Sequence, residues 1–116
     1  MKRIFYSLAA VTMLALLSNC HSSKKAQAAA APKPSYDNGV QTLVVNNCSP
    51  CHIPSKGGNK LALDTYAAVK DNIDDILARI QLEPGQRGFM PMNHPKLSDS
   101  TIAVFKQWKD EGTLEK

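Results

Sequence analysis

Three side chains that can bond to carbon or to a metal stand within five residues near the middle of the chain. They belong to the run Cys48-Ser49-Pro50-Cys51-His52. This C-x-x-C-H pattern is typical of the attachment site of a c-type haem. The two thiols would add across the haem vinyl groups, and the imidazole would bind the iron axially. The run therefore predicts one covalently bound haem per chain, held by Cys48, Cys51 and His52.

Two other chemistries use a C-x-x-C pair, and both are alternatives here. A structural zinc site needs about four protein ligands, usually from two such pairs. The sequence holds no second pair, because its third cysteine is Cys20 in the N-terminal segment. A thioredoxin-like dithiol would need a βαβ context with hydrophobic strands, and the sequence does not indicate one. The pattern as a whole favours haem.

A second group of candidate ligands lies in the loop over residues 88–95, which reads G-F-M-P-M-N-H-P. Met90 and Met92 are the only methionines outside the N-terminal segment. A methionine thioether paired with histidine is a known ligand set of haem iron and raises its reduction potential. We predict that a methionine of this loop binds the iron opposite His52. The alternatives are that both methionines only fill gaps in the core, or that His94 is the ligand and the iron is bis-histidine.

The N-terminus resembles a bacterial lipoprotein signal. Lys2 and Arg3 precede an apolar stretch, and the segment ends at Cys20. We predict a signal peptide over residues 1–19 and lipidation of Cys20, although Asn19 departs from the small residue usual before that cysteine. The alternatives are an ordinary secretory signal cleaved near residues 28–31 and an uncleaved anchor, for which the apolar run is shorter than the ~20 residues that span a bilayer.

All three alternatives place the rest of the chain outside the cytoplasm, where c-type haem is attached. Residues 20–34 include no large apolar side chain after Cys20, so we predict a flexible tether there and one domain over residues 35–116. The formal net charge is +4, and removal of Lys2 and Arg3 leaves +2. A balance this mild, with scattered basic residues, does not favour nucleic-acid binding. We expect a monomer held at a membrane by its lipid.

The spacing of apolar residues predicts an all-α domain of about four short helices. The first would begin at Asp37 as its N-cap, with Gly39 in its first turn, and would run to Cys48. Further helices are predicted over residues 64–70, 73–80 and 98–111. We expect Gly39 to allow the close approach of another helix. The helix over 73–80 would bury Ile73, Ile76, Leu77 and Ile80. The last helix would be capped by Ser98, stop at Gly112, and bury Ile102, Val104, Phe105 and Trp108.

With these parts in place, residues 36–114 resemble a small bacterial class I cytochrome c. The resemblance rests on the C-x-x-C-H run after the first helix, the Met90-Pro91 loop, and Leu97-Ser98-Asp99 at the start of the last helix. It implies four short helices around one haem, with the first and last helices crossing. In that family a glycine and an aromatic side chain meet at the crossing. Gly39 and Leu43 match the first-helix positions, and Phe105 and Trp108 match those of the last.

The resemblance also implies the distal ligand and the function. Family members place the ligand methionine before proline, about eight residues ahead of the serine that opens the last helix, which selects Met90. A shorter interval, also found in the family, would select Met92. The implied function is one-electron transfer with redox partner proteins at the membrane, and not enzymatic catalysis. The alternatives are a haem subunit of a larger oxidoreductase, and a five-coordinate haem enzyme or gas sensor.

Overall fold

A computed structural model of the protein describes residues 32–116. This part of the chain holds four α-helices, which are α1 (Val40–Cys48), α2 (Tyr66–Asp71), α3 (Ile73–Ile80) and α4 (Asp99–Asp110). A short 3₁₀ helix (Pro54–Lys56) lies between α1 and α2. No β-strand occurs in residues 32–116, which confirms the predicted helical class for them.

Several predictions fall on the N-terminal part of the chain. The signal peptide over 1–19, the lipidation of Cys20 and the tether up to residue 31 lie outside the described residues. Within residues 32–116, no helix has the length and apolar character needed to cross a membrane.

The last helix, α4, is the element on which the others pack. Its side chains Ile102, Phe105 and Trp108 are buried, and Val104 is partly buried against the same core. α4 contacts both α1 and α3, and α2 contacts α3. Full burial of a large apolar side chain contributes about 1.5–3 kcal/mol. The core therefore lies between α4 and the helices α1 and α3. The C-x-x-C-H run lies at the end of α1, and the Met90 loop follows α3 in the chain.

The predicted apolar face of α3, the cap of α4 and the burial of Ile102, Phe105 and Trp108 in α4 are confirmed, whereas Val104 is only partly buried. The helix predicted over 64–70 begins later, because α2 spans Tyr66–Asp71. α3 has the predicted bounds, and its four predicted core residues are buried. The N-cap of α4 is Ser98, whose hydroxyl oxygen accepts a hydrogen bond from the Thr101 backbone N–H at 3.2 Å. Gly112 follows the end of α4 with a φ of +86°, a conformation that glycine adopts without steric cost.

The start of the first helix differs from the prediction. α1 begins at Val40, with Gly39 in the N-cap position and no side-chain cap, so Asp37 is not its cap. The Asp37 backbone N–H instead donates to the Glu115 carbonyl at 3.0 Å. Gly39 precedes the helix with a φ of +127°. A Cβ added at Gly39 would meet no atom within 4 Å, so this glycine does not serve close helix packing. Its backbone conformation, which side chains disfavour, is the physical reason for a glycine here.

An aromatic cluster joins the two ends of the described chain. The rings of Tyr36, Tyr66 and Trp108 lie 5.6–6.4 Å apart between centroids. The Trp108 Nε1–H donates to the Leu114 carbonyl at 2.7 Å, and the Tyr36 backbone N–H donates to the same carbonyl at 2.9 Å. The Tyr66 hydroxyl donates to the Thr113 carbonyl at 2.9 Å. The segment after α4 is thereby fixed across the core.

We expect Ser98→Ala to lower the free energy of unfolding by about 1 kcal/mol, because the Thr101 N–H loses its partner at the start of α4. Urea denaturation followed by circular dichroism would measure the change. The control is Ser55→Ala, an exposed serine in the 3₁₀ helix, which should change the free energy by less than about 0.5 kcal/mol. Equal losses in the two variants would contradict the capping role.

Candidate functional site

The C-x-x-C-H run forms a tight turn at the end of α1. Cys48 is the last residue of that helix, and the His52 backbone N–H donates to the Cys48 carbonyl at 3.0 Å. The Ile53 N–H donates to the Pro50 carbonyl at 3.1 Å. These bonds close the backbone between the first cysteine and the histidine. The three predicted attachment residues are therefore brought together in one turn.

The two thiols of this turn differ in their surroundings. Cys48 is partly buried and packs against the core, whereas Cys51 is exposed, and neither forms a disulfide. Burial raises the pKa of the Cys48 thiol to about 11, so this thiol is protonated at neutral pH. A dithiol redox pair depends on the opposite shift, in which the attacking thiol has a lowered pKa. Cys48 does not match that alternative.

The His52 imidazole is held by a backbone group. Its Nδ1 lies 2.7 Å from the carbonyl oxygen of Leu61. Since a carbonyl can only accept a hydrogen bond, Nδ1 carries a proton, and in the neutral imidazole Nε2 then carries the lone pair. A metal-binding histidine commonly donates its other ring N–H to a carbonyl in this way, which fixes both its tautomer and its orientation. His52 is thus prepared to act as a ligand through Nε2.

The segment that supplies the Leu61 carbonyl is fastened to the C-x-x-C-H turn on both sides of that residue. The Lys60 N–H donates to the Cys51 carbonyl at 3.0 Å, and the Leu63 N–H donates to the His52 carbonyl at 2.8 Å. The Leu63 side chain is buried in the core. The orientation of the histidine therefore depends on how the chain from 53 to 63 folds back.

Gly58 lies where this returning segment comes closest to the turn. An added Cβ at Gly58 would lie 2.3 Å from the Pro50 carbonyl oxygen, 2.6 Å from the Cys51 carbonyl oxygen and 2.8 Å from the Ile53 nitrogen. All three atoms belong to the backbone, so no side-chain rotation could relieve the overlap. Only glycine fits at this position.

The predicted distal-ligand loop is anchored to α3. The Met90 N–H donates to the Arg79 carbonyl near the end of that helix at 3.3 Å, and the side chain of the preceding Phe89 is buried. The Met90 side chain is half-buried, but Met92 is 59% exposed and His94 is also exposed. The three candidates share one loop, and Met90 is the one held against the protein.

No group of three or more His, Cys, Asp and Glu side chains in residues 32–116 is arranged to hold a metal ion. A haem iron needs only two axial ligands from the protein, because the porphyrin supplies the others.

A surface groove of about 410 Å³ lies between α3 and α4, and Lys109 and Asp74 in its wall form an ion pair at 2.5 Å. None of the predicted ligands lines this groove.

Two contributors to the site were not found by sequence reasoning. The first is the Leu61 carbonyl, a backbone group that carries no signal in the residue type. The second is Gly58, which the Gly57-Gly58 pair indicated only as part of a loop.

Comparisons of the chain with protein families, with curated proteins and with solved structures found no match.

We expect Gly58→Ala to disrupt the turn, because the added methyl group overlaps three backbone atoms. The loss of stability should be about 2–4 kcal/mol, at the upper end for single substitutions. The comparison variant is Gly57→Ala, whose methyl group would meet no atom within 4 Å but whose φ is +86°. It should cost about 1–2 kcal/mol from backbone strain alone. Urea denaturation of both would measure this, and a smaller loss for Gly58→Ala than for Gly57→Ala would contradict the close approach.

Proposed function

We propose that this protein is a one-electron carrier of the class I cytochrome c type, with a single covalently attached haem. The observation that carries the proposal is the 2.7 Å hydrogen bond from His52 Nδ1 to the Leu61 carbonyl. It fixes the histidine of a C-x-x-C-H turn in the tautomer that leaves Nε2 as a ligand. A dithiol pair gives no reason for that arrangement. A zinc site would need about four protein ligands, and no group of three or more His, Cys, Asp and Glu side chains in residues 32–116 is arranged to supply them.

The residues of the turn fit the demands of a covalently held haem. Cys48 and Cys51 would form the thioether bonds, and His52 would be the proximal ligand of the iron. The haem would supply reversible one-electron oxidation and reduction. The chain's own contribution is to hold the ligands, to limit the access of water and to tune the reduction potential through ligand choice and burial.

Met90 is the best candidate for the distal ligand. Its backbone is tied to α3 and its side chain is half-buried, so less conformational freedom remains to be lost on binding. Met92 and His94 are exposed and would have to leave solvent to reach the iron. With His52 and Met90 both bound, the iron would have no open position for a substrate, which favours electron transfer over enzymatic catalysis.

The arrangement of the helices is compatible with the class I cytochrome c fold. α1 and α4 are in contact, and Phe105 and Trp108 on α4 are almost completely buried. The resemblance implies that these two aromatic residues match the positions that the family uses at the crossing of its first and last helices. Gly39 departs from the family pattern, since it precedes α1 and makes no close contact.

We further propose that lipidation at Cys20 holds the carrier on the extracytoplasmic side of a bacterial membrane. A tether over residues 20–34 would let the domain move near the membrane surface. Linkage of this kind raises the effective concentration of a carrier near membrane-bound redox partners. The carrier would act as a monomer, either alone or as a subunit of a larger oxidoreductase, and co-purification with a membrane complex would separate these cases.

The distal ligand can be tested by visible and near-infrared spectroscopy of the haem-loaded protein. We expect the oxidised protein to show the absorption band of a methionine sulfur on ferric haem iron. The band should be lost in Met90→Ala and kept in the control variants Met92→Ala and His94→Ala, because only Met90 is held against the protein. Loss of the band in Met92→Ala alone would transfer the ligand role to Met92.

Absence of the band from the unmodified protein would contradict methionine ligation. Carbon monoxide binding to the reduced protein would then distinguish two alternatives. Strong binding would indicate a five-coordinate iron, as in an enzyme or a gas sensor. Weak binding would indicate a second strong protein ligand such as His94.

The covalent attachment can be tested on a denaturing gel stained for haem. The unmodified protein should keep its haem stain, because thioether bonds survive denaturation. The variant in which Cys48 and Cys51 are both changed to alanine should lose the stain completely. A Cys20→Ala variant, which keeps the C-x-x-C-H run, is the control and should retain it. A colourless unmodified protein, produced with c-type haem attachment machinery, would contradict the proposed function.

A further inference from the structure

Met92 is the most exposed large apolar side chain of residues 32–116. It exposes 59% of its surface, compared with 54% for Leu61 and 40% for Leu114. The side chain that carries its thioether is therefore largely exposed to solvent. Methionine sulfur is readily oxidised to the sulfoxide, and access to the sulfur governs how fast this occurs at a given residue.

The same loop holds a second thioether that is better protected. Met90 is half-buried, its N–H is bonded to the Arg79 carbonyl, and it follows the buried Phe89. Met90 and Met92 are separated by a single residue, so both meet the same concentration of any oxidant in solution. The difference in burial then decides which sulfur reacts first.

We propose that Met92 is a site of oxidation by hydrogen peroxide and that it reacts before Met90. The Met92 sulfur lone pair attacks one peroxide oxygen, so that a sulfur–oxygen bond forms while the oxygen–oxygen bond breaks. The departing hydroxide takes the proton from the new sulfur-bound hydroxyl group, which leaves the sulfoxide and one molecule of water. Sulfur loses two electrons and the peroxide gains them. Each molecule of peroxide consumed at Met92 is one that does not reach Met90.

The order in which the two methionines are oxidised does not depend on the proposed function. The protection of an iron ligand by Met92 does rest on it. If Met90 binds the iron, oxidation of its sulfur removes a ligand, and Met92 delays that loss. If Met90 is not a ligand, Met92 is still the sulfur that oxidises first. The oxidation order and the role of Met90 as an iron ligand can therefore be disproved independently.

The test is peptide mapping by mass spectrometry of the haem-loaded full chain after treatment with limiting hydrogen peroxide. We expect the sulfoxide to form at Met92 roughly threefold or more faster than at Met90. Equal rates, or a faster rate at Met90, would overturn the proposal. So would the absence of sulfoxide at both residues under conditions that oxidise a methionine-containing reference peptide.

Met92→Leu is the matched variant, since leucine keeps the apolar character and approximate volume without the thioether. At limiting peroxide, the yield of Met90 sulfoxide should rise roughly twofold or more, because the competing sulfur is gone. An unchanged yield would overturn the protective role.

The sulfur-to-iron band, recorded in parallel on the unmodified protein, reports on the proposed function separately. Decay of the band together with Met90 sulfoxide supports Met90 as the ligand. Decay together with Met92 sulfoxide would overturn both that assignment and the protective role, while the oxidation order would still stand.

Discussion

The geometry of the candidate site depends on one constraint, which is the close return of the chain from 53 to 63 onto the C-x-x-C-H turn. The return brings the Leu61 carbonyl to the ring of His52 and fixes the tautomer of the imidazole. It is possible only because Gly58 has no side chain where it meets the backbone of the turn. Backbone hydrogen bonds from Lys60 and Leu63 then hold the segment in place. A histidine in a flexible turn would gain none of this orientation.

The hydrophobic core positions the two candidate ligand segments. Cys48, the first cysteine of the C-x-x-C-H run, ends α1, and the Met90 backbone is bonded to Arg79 in α3. Both helices pack on α4, whose Phe105 and Trp108 are almost completely buried. The placement of the two segments is thus set by side-chain packing on a shared helix. Such packing suits the proposed carrier, whose ligands would have to stay fixed between oxidation states.

Local sequence signals predicted the structure correctly where it depends on residues that are close together in the sequence. The apolar spacing in α3 predicted both its bounds and its buried face, because residues three and four positions apart lie on the same face of a regular helix. The Ser98 cap was also predicted from a local signal, because a serine directly before an apolar helical pattern is typical of an N-cap. The start of α1 was not predicted correctly, because Gly39 and not Asp37 takes the N-cap position, and the Asp37 backbone N–H is bonded to the distant Glu115. Gly39 was expected to serve packing, but it serves a backbone conformation.

The sequence by itself determined the chemistry that the site can offer, because the thiols, imidazole and thioethers are properties of residue types at fixed spacing. It also determined the helical class, through periodicity and caps. Only the tertiary structure decided which backbone carbonyl holds His52, since every residue carries such a group and the fold alone selects Leu61. The tertiary structure likewise decided that Met90 is half-buried while Met92 is exposed. Burial depends on contacts between segments distant in sequence, and local pattern does not encode those contacts.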